Sequence, residues 1–154
     1  MSALLDNRPA YRRMTAGDLD AVMAIENEVY PQPWTRGNFS DSLNAGYHCR
    51  IMEISGEIVG YGVVMIAAGE AHLLNLSIAA PWQRQGRGRE LLGFLIQLAR
   101  DYRARRIYLD VRPSNLAGRG LYAGAGFIEI ATRRGYYPGP GGGEDAVIME
   151  LELK

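Results

Sequence analysis

Leu19, Val22, Met23, Ile25 and Val29 recur at the spacing of one helical face, and Thr15-Ala16-Gly17-Asp18 ahead of them fits a capping box. The pattern predicts a first helix over about 16–29. Pro31 and Pro33 end it, because proline disfavours helical backbone in the residue before it. Thr35 caps a short second helix that carries Phe39 and Leu43 and stops near Gly46. Upstream, Tyr11 to Met14 form a short strand behind a loose tail, Met1 to Pro9. From His48 to Ala80 apolar and β-branched residues come in runs split at Ser55-Gly56 and at Ala67-Ala68-Gly69-Glu70, which fits three antiparallel strands joined by tight turns. Leu91, Leu92, Phe94, Leu95, Leu98, Ala99 and Tyr102 mark one face of a third helix, with arginines 100, 103, 105 and 106 towards and beyond its end. In the strand Ile107–Val111, Ile107, Leu109 and Val111 alternate with Tyr108 and Asp110, so Asp110 projects from the opposite face. Ser114 or Asn115 caps a fourth helix to about Gly124; Gly118 and Gly120 inside it each cost up to ~1 kcal/mol relative to alanine. Phe127–Ala131 and Ala146–Leu153 read as closing strands around a loop with Pro138, Pro140 and glycines 139, 141, 142 and 143, too glycine-rich for core and suited to face a substrate. The order βαα-βββ-α-β-α-ββ indicates an α/β (α+β) fold, a mixed sheet with helices on both faces.

Length and composition narrow the classes. With 154 residues and 47% apolar content, the chain suits one globular domain, residues 10–154, behind a flexible tail of residues 1–9. Seventeen basic and seventeen acidic side chains cancel, so a broad electrostatic grip on nucleic acid or an anionic membrane is not implied and any anion site must be local. Cys49 is the only cysteine, which excludes an internal disulfide and fits a reducing compartment. His48 and His72 are the only histidines and cannot with one thiol assemble the usual structural zinc set, so no metal is expected. No run of about 18 apolar residues and no apolar signal core near the start is present, which makes a cytoplasmic location the default.

The candidate chemistry centres on Leu74 to Leu92, read as strand, glycine turn and helix start. Gly86 and Gly88, flanked by Arg84, Arg87 and Arg89, bare backbone N–H groups at the positive end of a helix dipole, where an anion can sit. The stretch is neither a Walker loop, lacking the lysine, nor a full G-x-G-x-x-G fingerprint, since Leu91 stands at the third glycine. Gln83-x-x-Gly86-x-Gly88 after a strand instead resembles the acetyl-CoA motif of the GNAT superfamily of N-acetyltransferases. Leu109-Asp110-Val111-Arg112-Pro113-Ser114-Asn115, then Leu121-Tyr122 and Gly126-Phe127, matches a second signature of that superfamily. Arg133-Arg134-Gly135-Tyr136-Tyr137-Pro138, with Gly143-Glu144-Asp145-Ala146-Val147-Ile148-Met149, looks like the close of RimI-type ribosomal-protein alanine N-acetyltransferases. Ile25-Glu26, Pro33-Trp34-Thr35 and Phe39 agree with the same group.

The resemblance implies a GNAT fold with a splayed central strand pair and acetyl-CoA as co-substrate. Leu76, Ser77 and Ile78 would line the splayed strand end, Arg84, Gln85, Gly86, Arg87, Gly88 and Arg89 would enclose the pyrophosphate, and Asn115 would hydrogen-bond the cofactor arm. It implies Asp110 as the carboxylate that takes the amine proton and Tyr122 as the acid that protonates the departing sulfur. The family pattern has glutamate where Asp110 stands, one methylene longer, so a bridging water would complete the contact. Glu26 is a rival base on the first helix; the alternative reading is an ordinary exposed helix residue. For Asp110 the alternative is a strand-end carboxylate paired with Arg112, Arg105 or Arg106. Tyr136 and Tyr137, with the Pro33-Trp34 loop, would wall a narrow peptide groove, otherwise being a packed loop pair. A terminal amine is the favoured acceptor: neutralising an α-amine at pH 7 needs only ~1 kcal/mol, a lysine ~4.6 kcal/mol. The implied reaction is acetylation of a protein N-terminus, with the N-terminal alanine of a small-subunit ribosomal protein as target. A lysine or small-molecule acetyltransferase and a non-catalytic acetyl-CoA sensor are the competing readings.

Overall fold

A computed structural model describes residues 7–137 and 143–154. The first six residues of the expected tail and residues 138–142 of the expected proline- and glycine-rich loop lie outside the described residues. In chain order the elements are β1 (Ala10–Arg13), α1 (Leu19–Val29), α2 (Arg36–Asn44), β2 (His48–Ile54), β3 (Glu57–Ala67), β4 (Glu70–Ile78), α3 (Arg87–Asp101), β5 (Arg106–Val111), α4 (Leu116–Gly124), β6 (Ile128–Tyr137) and β7 (Glu144–Glu152). Short 3-10 turns, Ala16–Asp18 and Ala80–Trp82, precede α1 and α3. The strands form one mixed sheet in the order β1-β2-β3-β4-β5-β7-β6, with β4 and β5 parallel. This is the element order the hydrophobic pattern predicts.

Local chemistry accounts for most boundaries. Ahead of α1, the Asp18 carboxylate accepts from the Thr15 N–H at 2.8 Å and from the two terminal nitrogens of the Arg12 guanidinium. Thr35 caps α2 through its hydroxyl, which accepts from the Asn38 N–H at 3.1 Å. Asn115, not Ser114, caps α4, its Oδ1 accepting from the Gly118 N–H at 2.9 Å. The β2–β3 turn holds Ser55 and Gly56 at φ 52° and 79°, and the β3–β4 turn holds Ala68 and Gly69 at 53° and 79°. Two successive positive φ values suit the right-handed twist of hairpin strands, and glycine adopts the second without steric cost.

One boundary departs from expectation. The first closing strand continues from Ile128 to Tyr137, well past Ala131, so Tyr136 and Tyr137 are strand residues and not part of a loop. Nine of its ten residues are exposed, and past Ala131 the run Thr132-Arg133-Arg134-Gly135 has no apolar residue to mark it in sequence. Backbone pairing with β7, from Ile128↔Glu150 to Tyr137↔Glu144, defines it instead.

The chain gathers into two compact units, the first drawn from Met1–Val64 and Asn75–Leu92 and the second from Met65–Leu74 and Gly93–Lys154. In the first, Val22, Phe39, Ile51, Met52, Val59, Tyr61, Val63 and Leu91 are fully buried, and the Phe39 and Tyr61 rings meet edge-on at 5.7 Å. In the second, Ile107, Leu109 and Val111 on one face of β5 are buried, as are Leu95, Leu98, Ala99, Phe127 and Met149.

Candidate active site

In the first unit the turn after β4 is built by side chains that close it on itself. Gln83 Nε2 donates to the Ile78 carbonyl at 2.9 Å, and Gln85 Nε2 donates to the Pro81 carbonyl at 3.0 Å. Arg84 and Gly86 take positive φ, 62° and 81°, and α3 begins at Arg87. The Glu90 N–H bonds the Gly86 carbonyl at 3.1 Å, so the N–H groups of Arg87, Gly88 and Arg89 precede the helical ladder. A Cβ at Gly86 would meet nothing within 4 Å, so its glycine answers the backbone conformation and keeps that approach open. Of the three predicted arginines, Arg84 and Arg89 are exposed, whereas Arg87 turns inward. Arg87 pairs with Glu90 at 2.8 Å, lies 5.8 Å from the Trp82 ring centroid, and buries an Nε that has no hydrogen-bond partner.

The residues at the end of β4 face a buried polar cluster. Glu26 is only 2% exposed, which overturns the exposed-helix reading of this position. Its Oε1 accepts from the Tyr61 hydroxyl at 2.7 Å and its Oε2 from the Trp34 N–H at 2.9 Å; Asn75 Nδ2 stands 3.4 Å from both oxygens. Ser77 Oγ donates to Asn75 Oδ1 at 2.8 Å, and the Tyr30 hydroxyl donates to the Leu76 carbonyl at 2.5 Å. Burial raises the Tyr30 hydroxyl pKa above its ordinary value, as it does that of Tyr61, where the Glu26 charge adds to the effect. Ser77 and Ile78 are buried and Leu76 half-buried. Trp34 is half-buried, its ring 5.0 Å from that of Phe39.

In the second unit Asp110 stands on β5 opposite the buried phase, as its alternation predicts, with its side chain 14% exposed. Its partner is His72, with Nε2 3.5 Å from Oδ2. The three arginines considered as partners have other contacts: Arg106 meets Glu150, Arg112 meets Glu144, and Arg105 lies against Gly69. Tyr137 is close enough that the Asp110 charge, after burial, helps push its hydroxyl pKa up to about 12. The Arg112 guanidinium lies 4.1 Å from the Tyr137 ring centroid, and Glu144 joins that pair to the chain ahead of α4 by accepting from Ser114 N–H and Oγ, both at 3.0 Å. These hydrogen bonds and Arg112 hold the Glu144 carboxyl below its ordinary range. Tyr136 is exposed and meets the Tyr137 ring edge-on at 5.1 Å. Tyr122, on α4, is half-buried against Phe127 at 5.8 Å. Asn115 is exposed, and with Oδ1 engaged as the helix cap, Nδ2 is the donor it can offer a ligand.

The profile of the acetyltransferase (GNAT) family matches residues 19–127. The chain belongs to the GNAT acetyltransferase family. It is 35% identical over 136 residues to the [ribosomal protein bS18]-alanine N-acetyltransferase of Escherichia coli K12, covering 88% of this chain and 92% of that one. The crystal structure of the Escherichia coli ribosomal-protein-S18-alanine N-acetyltransferase superposes with a TM-score of 0.87 at 32% identity, over 96% of this chain and 95% of that one. The yncA structure from Salmonella typhimurium, solved with its cofactor acetyl-CoA, matches in fold with a TM-score of 0.76 at 21% identity, over 96% and 95% of the two chains. This GNAT enzyme has, among its described residues, no group of three metal-ligating side chains and no helix long and apolar enough to cross a membrane.

Sequence reasoning missed His72, Tyr30, Tyr61 and Asn75. His72 carries a signal in retrospect: it occupies the less buried phase of β4, between buried Ala71 and Leu73, much as Asp110 does on β5. Tyr61 sits in a strand with six successive buried residues, where an isolated hydroxyl leaves no periodic trace.

Proposed function

We propose that this GNAT enzyme transfers an acetyl group from acetyl-CoA to the α-amino group of a protein N-terminus, with the N-terminal alanine of the ribosomal protein bS18 as its substrate. The observation that carries the reading is the 35% identity, over 88% of the chain, to an enzyme named for that reaction. The turn after β4 fits a diphosphate-bearing co-substrate. It combines an unpartnered buried Arg87 Nε, an unobstructed Gly86 and the first-turn N–H groups of α3 that precede its ladder, while the exposed Arg84 and Arg89 add positive charge. Bound there, acetyl-CoA supplies the thioester carbonyl and the thiol leaving group.

The chain's own residues would then divide the work. Asp110 receives the proton that the substrate ammonium must lose. Tyr122 supplies a proton to the sulfur as it departs. Asn115 Nδ2 and the backbone of Leu76, Ser77 and Ile78 hold the cofactor arm, and Trp34, Tyr136 and Tyr137 bind the first residues of the peptide. Glu26 positions Trp34 through its backbone N–H; its close acceptor contacts with Tyr61 and Trp34 leave it poorly suited to collect a substrate proton. An α-amine suits this arrangement because so little free energy separates its charged and neutral forms at neutral pH.

The test pairs two peptides: one with the bS18 N-terminal sequence and a free α-amine, the other with a blocked N-terminus and a free internal lysine. Mass spectrometry should show a single acetyl on the first peptide's α-nitrogen and little on the second. Equal or faster modification of the lysine peptide overturns the assignment, and acetyl-CoA binding without turnover on either peptide identifies a sensor.

A further inference from the structure

His72 has no part in the functions assigned so far, yet it alone carries an imidazole next to Asp110. Its register partner across the parallel pair is Tyr108, and Leu73 pairs with Leu109, so the next residue of Tyr108's phase, Asp110, comes beside the histidine ring. Nε2 and Oδ2 lie 3.5 Å apart, with the His72 side chain 30% exposed and that of Asp110 14%. The carboxylate is thus the more enclosed member and the imidazole the one with the larger opening to water.

Proton affinities give this neighbour a use. Carboxylates as a class titrate about four units below an α-amine, and imidazoles only about one unit below. A carboxylate can take the amine proton in passing but is a poor place to leave it at neutral pH. We propose that His72 is a positioning and relay residue, the acceptor to which Asp110 hands the proton it takes from the substrate amine; this rests on the assignment of Asp110 as the base.

The protons balance. As an ammonium becomes an amide its nitrogen gives up two protons; one is matched by the proton that ends on the thiol and the other must reach water. The relay carries the second. An N–H bond of the ammonium breaks as an O–H bond forms on Asp110, that bond breaks as N–H forms on His72 Nε2, and the imidazolium then releases a proton to solvent. The relay requires Nε2 to be without a proton at the moment Asp110 holds one.

Other charged and titratable groups surround the pair. Tyr108 lies on β5 and Tyr137 on β6; Glu150 on β7, opposite Tyr108, is held by Arg106, whose guanidinium also bonds the Tyr108 hydroxyl at 3.2 Å; and Glu70 begins β4. Among the contacts of these groups that the structure gives, Asp110 is the carboxylate within 4 Å of the imidazole.

The 154-residue chain is compared with H72Q, H72A and D110N. His48 is the only other histidine, so ring-nitrogen NMR of the free protein resolves two imidazoles, assigned with H48Q. D110N should shift the His72 Nε2 resonance at pH 7, because the carboxylate 3.5 Å from it is removed, and leave the His48 signals in place. With the bS18 peptide, H72Q should lower kcat about 10- to 100-fold at pH 7, leave the KM for acetyl-CoA within about twofold, and remove the fall of kcat through the imidazole range. Added imidazole should partly restore H72A, which a packing defect would not allow. An unchanged His72 Nε2 resonance in D110N overturns the proposal even if the H72 variants fail to fold. So does an H72Q enzyme with wild-type kcat and pH profile; if D110N then still loses turnover, Asp110 remains the base without a relay. If D110N itself works normally, the assignment of Asp110 falls with it.

Discussion

Replacing Glu26 with glutamine separates a positioning carboxylate from a catalytic one. The carboxylate now receives the Tyr61 hydroxyl at 2.7 Å and the Trp34 N–H at 2.9 Å, one on each oxygen, with Asn75 Nδ2 near both. An amide has a single oxygen, so one of those two donors must face an NH2 group. Tyr61 can rotate its hydroxyl to accept, but its bond to a carboxylate is lost. A hydrogen bond to a charged group contributes about 1.5–3 kcal/mol, and side-chain volume hardly changes, so this is the expected loss of stability. For a protein of this size 1 kcal/mol moves Tm by about 2–4 °C, which places the E26Q midpoint roughly 3–12 °C below wild type. With Trp34 less firmly held, the KM for the bS18 peptide should rise severalfold while kcat stays within about tenfold. Scanning calorimetry and steady-state kinetics on one preparation measure both quantities. A loss of 100-fold or more in kcat at unchanged Tm refutes the positioning role and makes Glu26 the base.

Three further outcomes are expected. Y122F should lower kcat far more than it weakens acetyl-CoA binding, because the hydroxyl matters as the sulfur leaves; a loss confined to the KM for acetyl-CoA rules out the acid role. Valine at both Gly86 and Gly88 should raise the calorimetric Kd for acetyl-CoA at least tenfold in a protein that still melts cooperatively, since side chains would crowd the N–H groups at the start of α3; unchanged affinity rules out the turn as the phosphate site. Hydrogen bonds from Arg12 and the Thr15 N–H lower the Asp18 pKa to about 2 from 3.8. A depressed carboxyl pKa gives a contribution fully present above pH 3.8 and lost as pH falls through 2, so D18N should flatten the decline of the urea midpoint in that window, and an unaltered decline means the pair is not coupled to folding.

Sequence alone determined what depends on near neighbours in the chain. Alternation in Ile107–Val111 set Asp110 against the buried phase; Thr15 to Asp18, Thr35 and the pair Ser114-Asn115 marked helix starts; Ser55-Gly56 and Ala68-Gly69 fixed two hairpins, because caps and turns are closed by bonds a few residues long. The glycine turn and the Asp110 to Tyr122 signature likewise carried the family, which the profile match over residues 19–127 shows. Tertiary structure decided the rest. Glu26 reads equally as a rival base or as an exposed helix residue until Tyr61 on β3 and Asn75 on β4, 49 positions away, enclose it. β6 loses its apolar alternation after Ala131, and its register with β7 carries it through to Tyr137. The alternative reading of Asp110 paired it with an arginine nearby in sequence, but parallel pairing of β4 and β5 delivers His72 instead, since strand register, not sequence distance, sets which side chains on one face of a sheet can meet.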